Sequence, residues 1–234
     1  MSSTSDVTLP ASGGLPPGNR HLWWEVLAVL AVGVIPNLAG SLVIFQEYAD
    51  ALSTRYWIQA VQRILYSGCA IYVTLYLIAR SGEPFRAFGV ARPRLLDVLI
   101  AAVLVCVTVL LSELYLLLPV PIHEIWHQLP KTQIDTVLMV AMYIVAAYSE
   151  ELIMRGYLIT RLTTLFRSRT EAVLIAAILF AAYHSYQGLF GVISTLAFGI
   201  LYGVAFLLTG RVWPLALAHA LVNIRLALIY SERL

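Results

Sequence analysis

A chain of 234 residues that is 60% apolar and 12% charged, with a mean hydropathy of +0.83, is excluded from the soluble globular class and falls among membrane proteins. The formal net charge of +2 comes from basic residues scattered between apolar runs, so no patch for nucleic acid forms. The length allows several membrane crossings and leaves little for a separate soluble domain.

Residues 1–21 are rich in Ser, Pro and Gly and hold no apolar core, which predicts a disordered amino-terminal tail and not a signal peptide. Residues 22–234 read as a single membrane-embedded helical domain. A helix crosses a bilayer with about 20 apolar residues. Runs near that length cover Leu22 to Phe45, Tyr56 to Ala79, Leu95 to Leu118, Ile134 to Ile159, Ala172 to Gln187, Leu189 to Leu208 and Val212 to Tyr230. The expected fold class is therefore all-α, a polytopic transmembrane helix bundle of about seven spans. Cys69 and Cys106 both lie in apolar runs and are expected to pack inside as small hydrophobes, unbridged.

Basic residues predict the orientation. Arg80, Arg86, Arg92 and Arg94 fall in the second connection, Arg161, Arg167 and Arg169 in the fourth, and Arg211 in the sixth. The third holds only Lys131. The positive-inside bias puts the Arg-bearing connections and the amino terminus in the cytoplasm. With a rise of about 1.5 Å per residue, Glu150 then lies roughly 16 Å in from Arg161 and His184 roughly 20 Å in from Glu171. His219 and Asn223 lie roughly 12 and 18 Å in from Arg211, so three spans bring polar groups to one layer.

The fourth run carries Ser149-Glu150-Glu151 and Arg155 in an otherwise apolar setting. Ionisable groups at membrane depth are costly and mark a functional site by default. Glu151 and Arg155 are at i and i+4 and can pair on one helix face, whereas Glu150 points about 100° away and is free to act as a base toward water. His219 and Asn223, again at i and i+4, can donate to a developing oxyanion, and His184 can hold the water opposite. Elsewhere, Arg63 and Glu113 sit at similar depth and are expected to form a structural ion pair, while Glu25 and Arg225 lie near span ends and are expected to snorkel. Gly199 and Gly203 are spaced for close internal helix contact.

Glu150-Glu151-x-x-x-Arg155, Phe180-x-x-x-His184 and His219-x-x-x-Asn223, in this order, resemble the motifs of the CPBP family of intramembrane endopeptidases. That family includes the type II CAAX prenyl proteases and the bacterial abortive-infection-like membrane proteases. The resemblance covers residues 134–230, and 22–118 match no motif. It implies peptide-bond hydrolysis within the membrane, Glu150 and His184 activating water, His219 and Asn223 stabilising the oxyanion, and Arg155 holding Glu151. The substrate is then a membrane-associated protein or peptide, a prenylated one needing a eukaryotic setting, and the short chain suits a multi-pass protein of a bacterial inner membrane.

Two matters stay open at this point. A glutamate-type hydrolase needs no cofactor, yet Glu150, His184 and His219 can also serve as three zinc ligands with a fourth position open. His123-Glu124-Ile125-Trp126-His127 fits the H-E-x-x-H zinc pattern too, but lies between Pro121 and Pro130, where at most about two helical turns fit. The alternative of another class is a transporter or channel using the intramembrane Glu and His as a proton or cation site. Such a relay has no need of Asn223 one turn from His219.

Overall fold

A computed structural model describes residues 20–43, 56–116 and 130–231. The His123–His127 motif, most of the amino-terminal tail and the ends of several predicted runs lie outside these residues. The described part is helical, without strands. Its helices are α1 (Arg20–Gly33), α2 (Ile35–Val43), α3 (Tyr56–Ser81), α4 (Leu95–Leu116), α5 (Gln133–Phe166), α6 (Arg169–Ala182), α7 (Gly188–Thr209) and α8 (Trp213–Ser231).

Among the described residues four helices are long and apolar enough to cross a membrane: Tyr56–Ser81, Leu95–Glu113, Gln133–Phe166 and Ser185–Thr209. The other predicted spans are shorter or broken. The first run divides into α1 and α2 at Val34, next to Pro36, which lacks the N–H that would bond back to the Val32 carbonyl. The Tyr66 hydroxyl of α3 donates to that carbonyl instead, at 2.5 Å. In the fifth run the helix stops at Ala182, and Ser185–Gln187 form a single 3₁₀ turn before α7.

α5 begins in a capping box, with the Asp135 N–H donating to Thr132 Oγ1 and the Thr132 N–H to Asp135 Oδ2, both at 3.1 Å. It runs past the predicted end at Ile159, so Arg161 is not a loop residue but a buried helix residue. Its guanidinium bonds Glu83, lies 3.6 Å from Glu25 and stacks 4.7 Å from the Phe88 ring. Glu25, which also accepts from the Tyr157 hydroxyl at 3.2 Å, is thus held by partners and does not snorkel.

In the middle of α5, Leu152–Ile159 widen into a π-helix, and all eight residues are buried. Such widenings are rare and often accompany function. Gly156 lets the backbone come close here: a Cβ would stand 2.7 Å from the Phe88 carbonyl oxygen and 3.1 Å from Val212 Cγ2. Gly156→Ala is expected to cost about 1–3 kcal/mol through overpacking, read as a lower unfolding temperature in detergent. An unchanged temperature means that the Phe88 loop yields freely.

α5 packs along α3 and α8, α8 also packs along α4, and α6 packs against α7. Between α6 and α7, a Cβ at Gly199 would meet Ala177 Cα at 3.0 Å and one at Gly203 would meet Val173 Cγ1 at 2.8 Å, so these glycines serve internal packing. The Arg-bearing connections meet at one end of the bundle. There Arg211 Nη2 donates to Asp97 Oδ2 and to the Arg92 carbonyl, each at 2.7 Å, and the Val212 N–H donates to the Gly89 carbonyl at 3.0 Å. The outer surface is apolar, with Leu95, Leu99, Val103 and Leu110 of α4 turned outward. Cys69 and Cys106 are on that surface, unbridged and not in the core as expected. Apolar side chains facing out over complete backbone hydrogen bonding suit lipid, and this is an integral membrane protein.

Candidate active site

Glu150 and Glu151 close the α-helical part of α5, immediately before the π-helix, and their surroundings differ sharply. Glu151 has no exposed surface; its Oε1 accepts from Arg155 Nη1 at 3.0 Å and from His219 Nδ1 at 2.8 Å. Arg155 is itself buried, its guanidinium 4.5 Å from the Phe180 ring and under 6 Å from those of Phe198 and Tyr202. The i, i+4 pairing of Glu151 with Arg155 is thus locked inside an aromatic shell from α6 and α7.

Glu150 keeps 13% of its side chain exposed. Its Oε1 accepts from Arg63 Nη2 at 2.8 Å, and its Oε2 stands 3.9 Å from His219 Nε2. One imidazole therefore reaches both carboxylates. A carboxylate only accepts, so the short contact to Glu151 puts a proton on Nδ1 and turns Nε2 toward Glu150.

His184 is not within a span. It occupies the turn between α6 and α7, at φ −99° and ψ 14°, because the helix has already ended at Ala182. Its Nδ1–H donates to the Phe180 carbonyl at 2.8 Å, which leaves Nε2 as an acceptor. The Phe180 ring lies 4.7 Å from the His184 ring and 6.1 Å from that of His219, filling the space between the two imidazoles. Asn223 follows His219 by one turn of α8, about 6 Å along the axis, and is half-buried.

Arg63 is the residue that sequence reasoning misplaced. Its predicted partner, Glu113, binds Arg225 at 2.6 Å instead. Depth alone suggested the Arg63–Glu113 pair, but α3 packs along α5 whereas α4 packs along α8, and each charge finds its partner on the neighbouring helix. Arg63 Nη1 also donates to Asn37 Oδ1 at 2.5 Å, and Asn37 Nδ2 donates to the Gly33 carbonyl at 2.9 Å and to the Tyr66 hydroxyl at 3.3 Å. The Pro36 break thus supplies the group that steadies Arg63.

Beside Glu150 is a cavity of about 10 Å³, close to the volume one water needs, lined by Asn37, Arg63, Tyr66, Glu150 and Tyr183 among others. Among the described residues no three His, Cys, Asp or Glu side chains are grouped as metal ligands. What the arrangement offers chemically is one carboxylate fixed as a strut and a second presented, with an imidazole behind it, at a small polar cavity.

Residues 132–225 match the family model of type II CAAX prenyl endopeptidase Rce1-like proteins. This segment is similar to Rce1-like proteins. The match agrees with the CPBP resemblance of the motifs and supports an intramembrane protease of the CAAX type. The Rce1-like segment runs from the Thr132 cap of α5 to Arg225 on α8, and so holds Glu150, Glu151, Arg155, His184, His219 and Asn223. Arg63 and Asn37 come from outside it. No curated protein and no solved structure matches the chain.

Proposed function

We propose that the chain is a glutamate-type intramembrane endopeptidase that cuts a membrane-associated protein or peptide. The observation that carries this reading is the His219 imidazole set between a locked Glu151 and a cavity-facing Glu150. Glu150 takes a proton from water while the water oxygen attacks the scissile carbonyl, with His184 Nε2 as a second acceptor. The proton is shared with His219 Nε2, and the Nε2–H so formed and the Asn223 amide donate to the oxyanion. As the C–N bond breaks, that proton passes to the leaving amine.

No metal is needed in this scheme. At Glu150 the positive charge is supplied by Arg63, at 2.8 Å, and the three candidate ligands are not grouped. Chelators are expected to leave cleavage unchanged, and metal analysis of the purified protein to find no stoichiometric zinc; zinc required for activity overturns this part. The substrate class takes in secreted peptide precursors and membrane-anchored proteins, and prenylated CAAX proteins only in a eukaryotic setting. A bacterial inner membrane and about seven crossings belong to the proposal, as does a cytoplasmic amino terminus, which the positive-inside bias of the Arg-bearing connections favours. The test is to compare new protein termini in membranes of cells carrying wild-type or Glu150→Gln protein. Termini that persist in the variant refute the reading.

A further inference from the structure

α1, α2 and α3 lie outside the segment that matches the family model, yet their side chains form a bonded line that ends on Glu150. It starts at the break beside Pro36. The Tyr66 hydroxyl donates to the Val32 carbonyl, Asn37 Nδ2 donates to the Gly33 carbonyl and to the Tyr66 oxygen, and Asn37 Oδ1 accepts from Arg63 Nη1. The other terminal nitrogen of Arg63, Nη2, donates to Glu150 Oε1 at 2.8 Å, and the Tyr66 ring lies 5.7 Å from the guanidinium. One turn of α2 beyond Asn37, the Ser41 hydroxyl bonds the Tyr183 carbonyl, next to His184. α2 therefore braces the candidate site on both sides, through Arg63 to Glu150 and through Tyr183 to the turn that carries His184.

The last torsion of a glutamate side chain is broad, so a free carboxylate presents either oxygen. Held at Oε1 by Arg63, Glu150 presents Oε2, the oxygen 3.9 Å from His219 Nε2. A base set in this way gives up its rotational freedom before substrate arrives and not during the reaction. We propose that Arg63, anchored by Asn37, is a positioning residue for the hydrolysis: it holds Glu150 Oε1 so that Oε2 is the oxygen that takes the proton from water. This rests on the hydrolase reading above, and it gives the chain before residue 132 a part in the reaction. Arg63 exchanges no proton and touches no substrate; it acts through Glu150.

The probe is a synthetic peptide spanning the most abundant terminus made in cells by wild type but not by Glu150→Gln, cut by the purified protein in bicelles. Arg63→Met is expected to lower kcat roughly 10- to 100-fold, the cost of a misplaced reacting group, with KM near that of wild type. Asn37→Leu keeps the charge beside Glu150 but frees the guanidinium, and is expected to lower kcat roughly 3- to 10-fold. In the Arg63→Met background the same change is expected to cost nothing further, because Asn37 acts through Arg63. An ion pair that only holds helices together behaves otherwise: its loss lowers the unfolding temperature and leaves kcat per folded molecule intact. The proposal is overturned by a wild-type kcat in Arg63→Met or in Asn37→Leu, by a loss confined to KM, or by Asn37→Leu costing as much in the Arg63→Met background as in wild type. If Arg63→Met does not fold, Asn37→Leu alone decides. If wild type and Glu150→Gln give the same termini, the hydrolase reading itself fails and this role of Arg63 goes with it. If Glu150→Gln is inactive and Arg63→Met is not, only the role of Arg63 is lost.

Discussion

Cleavage by Glu150→Gln protein is expected to fall roughly 100- to 10,000-fold, the share a general base contributes. The substitution conserves shape, and the amide oxygen can still accept from Arg63, which now holds Oε1 at 2.8 Å. What the amide cannot do is take a proton from water. The unfolding temperature is therefore expected to stay near that of wild type, because the buried strut of Glu151, Arg155 and His219 is untouched. The measurement is the yield of new termini in cell membranes, paired with thermal unfolding of the purified protein. A variant that keeps a tenth or more of the wild-type yield places the base elsewhere. If His123→Ala then abolishes cleavage, the His123–His127 motif is the site. A variant that changes ion flux and not proteolysis returns the chain to the transporter class.

How much of this was legible in the sequence depended on whether an interaction is local. Glu151 with Arg155 is set by a helical period, so the sequence shows that pair without the fold. The Thr132–Asp135 cap and the close packing of Gly199 and Gly203 are of the same kind. Arg63 was not legible in this way. Its partner is 87 residues away, and similar depth alone points to Glu113, whereas the packing order of the helices brings Glu150 to it. In the sequence Arg161 reads as a marker of the membrane surface, because charge usually means exposure. Yet it is buried, since Glu25, Glu83 and the face of Phe88 meet it from other elements. His184 misled for the opposite reason. Its apolar neighbours extended the hydropathy of the run, but the helix ends at Ala182 and His184 lies in the turn before α7. The π-helix at Leu152–Ile159 left no trace in composition, being a response to packing around Gly156.

Arg155→Met is expected to produce the largest loss of stability, about 3–5 kcal/mol, the usual cost of stranding one member of a buried ion pair. Two contributions compete. Removing the guanidinium ends its contact with the rings of Phe180, Phe198 and Tyr202, worth about 0.5–2 kcal/mol. It also leaves the fully buried Glu151 carboxylate with the His219 N–H alone. The stranded charge is the larger, and a double substitution separates the two. Glu151→Gln in the Arg155→Met background replaces the unpaired carboxylate by a neutral amide whose oxygen can still accept from His219. Most of the lost stability is then expected to return, measured by unfolding in bicelles, while cleavage remains low because His219 has lost the anion that orients it. If the double variant is no more stable than Arg155→Met, the aromatic contact dominates, and Glu151 tolerates its burial without Arg155. Recovered stability without recovered cleavage separates what holds the bundle together from what Glu151 does for the reaction: it serves the hydrolysis through the imidazole that it shares with Glu150.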